Sequence, residues 1–201
     1  MVSDVIWVAL IEQVVPLITL VLLVVALVLL WDPIKGLAKR ATKIGIAGVI
    51  EVSAEPLREA PARPPVSERE VRTVEQRVAR NHEQLVRSRV LWVDDQPENN
   101  RVERTYLRDL GVNVAVAAST DQTYALMGAV DPTVLITDLA RPESPTAGRD
   151  MALALAGERP DLPVIGYVGS LQAGTPAGFF GITNRPDELV HLLLDVAERQ
   201  R

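Results

Sequence analysis

Short apolar runs rich in β-branched residues recur through the second half of the chain, each followed by a stretch with helical periodicity. That alternation limits the fold more than any other feature. Arg89 to Val93, Val112 to Ala118, Thr133 to Thr137 and Pro163 to Val168 read as strands, with a fifth at Phe179 to Thr183. Between the first two, Val102, Tyr106, Leu107 and Leu110 share one helical face, closed by Gly111 as a cap. Ser119-x-x-Gln122 reads as a capping box ahead of Ala125, Leu126 and Ala129, and Arg149 to about Gly157 as another helix. Pro186 opens a last helix whose Leu189, Val190, Leu193, Leu194 and Ala197 face the sheet. Repeated βα units of this length predict a doubly wound parallel sheet with its ligand crevice at the carboxyl ends of the strands.

Two of the strands end in acids. The first breaks off at Asp94-Asp95 before Gln96-Pro97, and the third carries Asp138 at its end. Neighbouring carboxylates repel and resist desolvation, so they are tolerated where water or a cation neutralises them. A lone Asp-Asp pair is a polar turn. Two acid-terminated strands side by side in a parallel sheet bring three carboxylates to one edge.

The first half of the chain is organised differently. Val14 to Trp31 carries no charge over 18 residues, and apolar character begins upstream at Val5. This predicts a transmembrane helix over 5–31. A cleaved signal peptide fits less well, because the first residues hold no Lys or Arg and no small-x-small cleavage site follows. Trp7 and Trp31 would stand about 36 Å apart along such a helix, near the two interfaces. Lys35, Lys39, Arg40 and Lys43 flank only its C-terminal side, which predicts a single-pass protein of the cell (inner) membrane, N-terminus outside and C-terminal bulk cytoplasmic. Residues 32–66 then read as a juxtamembrane segment: a small hairpin near 44–53, and a stiff, extended linker from Ala54 to Val66 with its four prolines.

Residues 67–88 predict a helix, with Val71, Val74, Val78, Asn81 and Leu85 on a 3-4 spacing. Two uses of that face are equally consistent with the pattern: a coiled-coil-like parallel homodimer, or one amphipathic helix packed on its own domain. His82 in this stretch reads as a solvated residue. The net charge is −5, with no large basic block, so nucleic acid is not an expected partner. The chain has no cysteine, which excludes disulfides, thiol nucleophiles and thiolate metal sites. Its two histidines, His82 and His191, lie far apart, and a histidine-based metal site is not expected.

From Arg89 onward the chain resembles the receiver domains of response regulators: VLWVDDQPENN, VLITDLARP and ITNRP occur in the order and approximate spacing of that family. The resemblance implies a flavodoxin-like domain over 89–201, five-stranded, with strand order 2-1-3-4-5. It implies that Asp138 accepts a phosphoryl group, that Asp94 and Asp95 with Asp138 and the Ala140 carbonyl hold Mg²⁺, and that Arg185 stands in the place of the family's lysine. It implies a phosphodonor and a protein partner, and no catalytic turnover. Two departures run against the usual signalling route. Val168 occupies the place of a Ser or Thr at the end of the fourth strand, with Ser170 two residues on. The stretch 171–178 is rich in breakers, so the helix between strands four and five is a single turn or absent. These departures favour a second reading, a pseudo-receiver that docks a protein or a small ligand without phosphorylation. A third, an enzyme acting on a nucleotide or phosphoester, finds no Ser-His-Asp set or Gly-rich phosphate loop to support it.

Overall fold

A computed structural model describes residues 52–171 and 174–200. They belong to one compact unit, Ile50–Arg201. The expected membrane span at 5–31, its basic flank and most of the juxtamembrane hairpin lie outside the described residues. Among the described residues, no helix is long and apolar enough to cross a membrane.

In chain order the elements are a 3-10 turn at Glu55–Glu59, α1 (Glu68–Leu85), β1 (Arg89–Val93), a 3-10 turn at Pro97–Asn100, α2 (Arg101–Asp109), β2 (Asn113–Ala117), α3 (Thr120–Val130), β3 (Val134–Thr137), α4 (Ala147–Glu158), β4 (Val164–Tyr167), β5 (Gly181–Thr183) and α5 (Pro186–Arg199). The strands make one parallel sheet in the order β2-β1-β3-β4-β5. The expected sheet and strand order are both present. β1, β3 and β4 are covered on both faces, which is why they read as continuous apolar runs instead of alternating ones. Alternate residues serve two cores. Val90, Trp92, Val134, Ile136, Ile165 and Tyr167 pack with α1, α2 and α5, while Leu91, Val93, Leu135 and Val164 meet Met151, Ala152 and Leu155 of α4.

The helices begin where local chemistry sets them. Ser67 caps α1 in a reciprocal box: its hydroxyl accepts from the Glu70 N–H at 3.3 Å, and Glu70 Oε2 accepts from the Ser67 N–H at 2.8 Å. At α3 the Ser119 side chain accepts from Gln122 N at 3.2 Å, while Gln122 Oε1 takes the N–H of Ala118, one residue earlier than a strict capping box would.

One expectation is corrected here. The proline-rich stretch 54–66 is not a free, extended linker: Ala54, Leu57, Ala60 and Val66 are buried, and Val52, Ala54, Leu57 and Val66 belong to the same core as α1 and α5. The prolines supply turns instead of reach, with Pro56 opening the 3-10 turn, and burying Leu57 contributes about 1.5–3 kcal/mol. This stretch is called the strap below. The apolar face of α1 is likewise spent within the domain. Val71, Val74, Val78 and Leu85 are all buried in that core, and Arg77 reaches across to α5, donating to Asp195, to Glu198 Oε1 at 3.1 Å and to the His191 carbonyl at 3.2 Å. Of the two uses weighed for the heptad face, the structure shows packing on the chain's own domain. Asn81 leaves the helical region (φ −119°, ψ 17°) and its side chain donates to the Arg77 carbonyl at 3.1 Å. His82 is not simply solvated, since its Nε2 lies 2.9 Å from the Leu110 carbonyl.

Between β4 and β5 there is no helix among the described residues, in keeping with the breakers there. The end of the connection lies against α4. Gly178, at φ +88°, has room for no Cβ, which would meet the Ala152 carbonyl at 2.9 Å.

Candidate functional site

Parallel register places the acids. Val93 pairs with Thr137 and Thr137 with Gly166, so the next residues along β1, β3 and β4, namely Asp94, Asp138 and Tyr167, meet at one edge of the sheet. Asp94, Asp95, Asp138 and Ala140 all line one cavity of about 570 Å³. Asp94 is buried and fixed from two sides: Oδ1 accepts from the Gln96 N–H at 2.7 Å and Oδ2 from the Asn100 side chain. Asp138 differs. Its Oδ1 is buried without a hydrogen-bond partner, the closest cation being Arg141 Nη1 at 3.9 Å. Burial first, and then the charge of Asp94, push the Asp138 carboxyl up to about 7; Arg141 opposes the shift and Asp95 adds to it.

Gly148 sets the loop behind Asp138. Its N–H donates to the Leu139 carbonyl at 3.0 Å, and a Cβ there would stand 1.7 Å from the Asp138 carbonyl oxygen. A second cavity, of about 490 Å³, reaches Asp138 from the other side, where Ala140, Arg149, Val168 and Ser170 join it. Ser170 therefore does share a cavity with Asp138, although Val168 holds the end of the strand.

Arg185 is not brought to the acids. Its guanidinium donates to Glu70 Oε1 at 2.6 Å and to Asp187 at 3.1 and 3.2 Å, and stands 3.6 Å from Glu188; it lines neither cavity. The physical reason is local carboxylate density: three acids, Glu70, Asp187 and Glu188, surround one fork.

Two other arginines, Arg141 and Arg63, line the acidic cavity. The Arg141 side chain is fully buried and donates to Thr137 Oγ1 at 2.9 Å, Thr120 Oγ1 at 2.8 Å and Glu143 Oε1 at 3.0 Å, tying the loop after β3 to the start of α3. Arg63 comes from the strap. It donates to the Val168 carbonyl and, at 2.5 Å, to Asn100 Oδ1, and its guanidinium lies 3.9 Å above the Tyr167 ring. Tyr167 in turn donates to the buried Glu103 at 2.6 Å and meets Trp92 edge-on at 5.7 Å. Burial raises the Glu103 carboxyl, with Tyr167 and Arg63 opposing. Nothing in the order of residues marks Arg63, since its partners lie 37 and 105 positions away.

Carboxylates and a backbone carbonyl are the donors a hard cation takes, and the unpartnered Asp138 oxygen fits one. Among the described residues, His, Cys, Asp and Glu side chains do not by themselves close a metal site. Any cation here would depend on the Ala140 carbonyl and on water as well, as Mg²⁺ commonly does.

No family model and no curated protein matches the sequence. Solved structures do. A response-regulator receiver domain from Francisella aligns with a TM-score of 0.50 and 18% identity over 57% of this chain and 99% of its own. A CheY-like receiver domain from Methanospirillum hungatei gives 0.49, with 20% identity over 57% and 98%. The Thermotoga maritima regulator TrrA, solved with Mg²⁺ and beryllofluoride, gives 0.48, with 16% identity over 54% and 98%. The part of this chain that carries the acidic cavity has the fold of response-regulator receivers.

Proposed function

We propose that this chain is a membrane-anchored, receiver-like signalling module that binds Mg²⁺ in the acidic cavity and accepts a phosphoryl group on Asp138. The observation that carries the reading is the meeting of Asp94, Asp95 and Asp138 in one cavity, with Asp138 Oδ1 lacking a hydrogen-bond donor. Asp94 and Asp95 with Asp138 and the Ala140 carbonyl would hold the cation. Bound there, Mg²⁺ would neutralise the oxygens of an incoming phosphoryl group. Asp138 supplies the nucleophilic oxygen: an Oδ–P bond forms as the donor's bond to phosphorus breaks, and the electron pair leaves with the donor. Asn100 and the Gln96 N–H keep Asp94 oriented throughout. The uncharged run at 14–31 and the cations that follow it support a single-pass anchor with this domain on the cytoplasmic side. The module would act by changing shape and contacts, not by turnover.

A second reading has its own observation. The buried Arg141 already puts a positive charge 3.9 Å from Asp138, and Arg185 is committed elsewhere, as in a pseudo-receiver that docks a partner without phosphorylation. Incubation of the full chain with acetyl phosphate and Mg²⁺, followed by intact-mass analysis, separates the two. The first reading predicts a hydroxylamine-labile phosphoryl adduct absent from Asp138→Asn; a folded protein that acquires none supports the second.

A further inference from the structure

Arg63 is placed as a binding residue more than as a tether. Its side chain is 7% exposed, it lines the cavity that holds Asp94, Asp95 and Asp138, and its Nε has no hydrogen-bond partner. Among the described residues one carboxylate lies within 4 Å of it, Glu103 Oε1 at 3.9 Å, and that carboxylate already accepts from Tyr167. Nε is the atom turned towards Glu103, while Nη1 and Nη2 each spend one N–H on the Val168 carbonyl and Asn100 and keep a second, and an aromatic-stacked guanidinium with spare donors and an incompletely balanced charge is suited to an oxyanion. Its two existing bonds both lead to the site: the Val168 carbonyl follows β4, and Asn100 passes the contact on to Asp94. The residue standing in the lysine's place by sequence, Arg185, is taken up by Glu70, Asp187 and Glu188.

We infer that Arg63 is the cation that binds a phosphoryl-type anion at Asp138, in the role that sequence position gives to Arg185, so that anion binding and docking of the 52–66 strap stabilise one another. The inference rests on the reading of Asp138 as a phosphoryl acceptor and adds what reads the modification out. Occupancy tightens the segment that leads back to the N-terminal part of the chain, because coupling between two sites is reciprocal. The strap would thus do work for which no helix between β4 and β5 stands among the described residues.

The test uses the full 201-residue chain in detergent micelles, with Mg²⁺ and beryllofluoride as the probe. Binding is followed by ¹⁹F NMR and the strap by hydrogen exchange of residues 52–66. Beryllofluoride should slow exchange across the strap. Arg63→Gln should weaken its binding about tenfold, the loss of one hydrogen bond to a charged group, and abolish the slowing. Arg63→Lys, which keeps the charge and guards against misfolding of the Gln variant, should fall between the two, and Arg185→Gln should bind within about twofold of the parent. Unchanged affinity in Arg63→Gln, or a large loss in Arg185→Gln instead, overturns the assignment. Binding with no change in strap exchange overturns the coupling while the phosphoryl-acceptor reading stands. If the folded parent binds no beryllofluoride, both fall together.

Discussion

Asp138 is made unusual by its surroundings: two carboxylates on the next strand end, a buried oxygen with no donor, and a guanidinium held just out of bonding range. Its backbone is as constrained as its side chain. Gly148 lies against the Asp138 carbonyl, where even a methyl group has no space, so Gly148→Ala must push the loop after β3 away from the acids. We expect a loss of about 1–3 kcal/mol in urea unfolding, together with loss of the Mg²⁺ and beryllofluoride response. A variant as stable and responsive as the parent would show that this loop does not set the site. Asp94, Asp95 and Asp138 were legible because a strand that stops in an acid is a local signal. Arg185 was misplaced because Asp187 and Glu188 beside it and Glu70, from a helix 115 positions earlier, together hold its guanidinium, and no local pattern announces the third of these. Arg63 was missed for the same reason.

At the scale of elements, the strap and α1 form a layer over α2 and α5 instead of a spacer. Leu57 is 1% exposed, so Leu57→Ala should cost about 2–5 kcal/mol in chemical denaturation. A free linker would give no change. The central strands could be read because strands covered on both faces are continuous apolar runs, and the last helix because a period of 3.6 survives in any window of the sequence. The strap could not: four prolines erase periodicity, and the burial of Leu57 and Val66 is decided by distant elements. The start of α1 is tuned by charge. Glu70, hydrogen-bonded to Ser67 first and then paired with Arg185, titrates at about 2 instead of 4.5. A carboxylate lowered on folding lends stability that is fully present above pH 4.5 and is lost as the pH falls towards 2. The Tm difference between the parent and Glu70→Gln should therefore shrink over that interval. Because the Glu70 side chain is 40% exposed, the difference should also shrink with added salt. A difference that persists at pH 2 would assign Glu70 a role other than its charge.

On the scale of the whole molecule, a receiver fold carries an N-terminal addition that closes over the carboxyl edge of its own sheet. A fragment cut at Ser67, where the helical stretch begins, would discard Arg63 and the buried strap residues, so the site has to be studied with residues 52–66 in place. The most direct measurement is a Mg²⁺ titration of the full chain, with and without beryllofluoride, in a Trp7→Phe, Trp31→Phe background that leaves Trp92 as the sole indole. Trp92 is fully buried two residues before Asp94 and touches Tyr167, on which Arg63 stacks. The account predicts saturable Mg²⁺ binding and a further fluorescence change with beryllofluoride, both abolished by Asp138→Asn. A folded protein whose fluorescence responds to neither, or responds equally in Asp138→Asn, would contradict it.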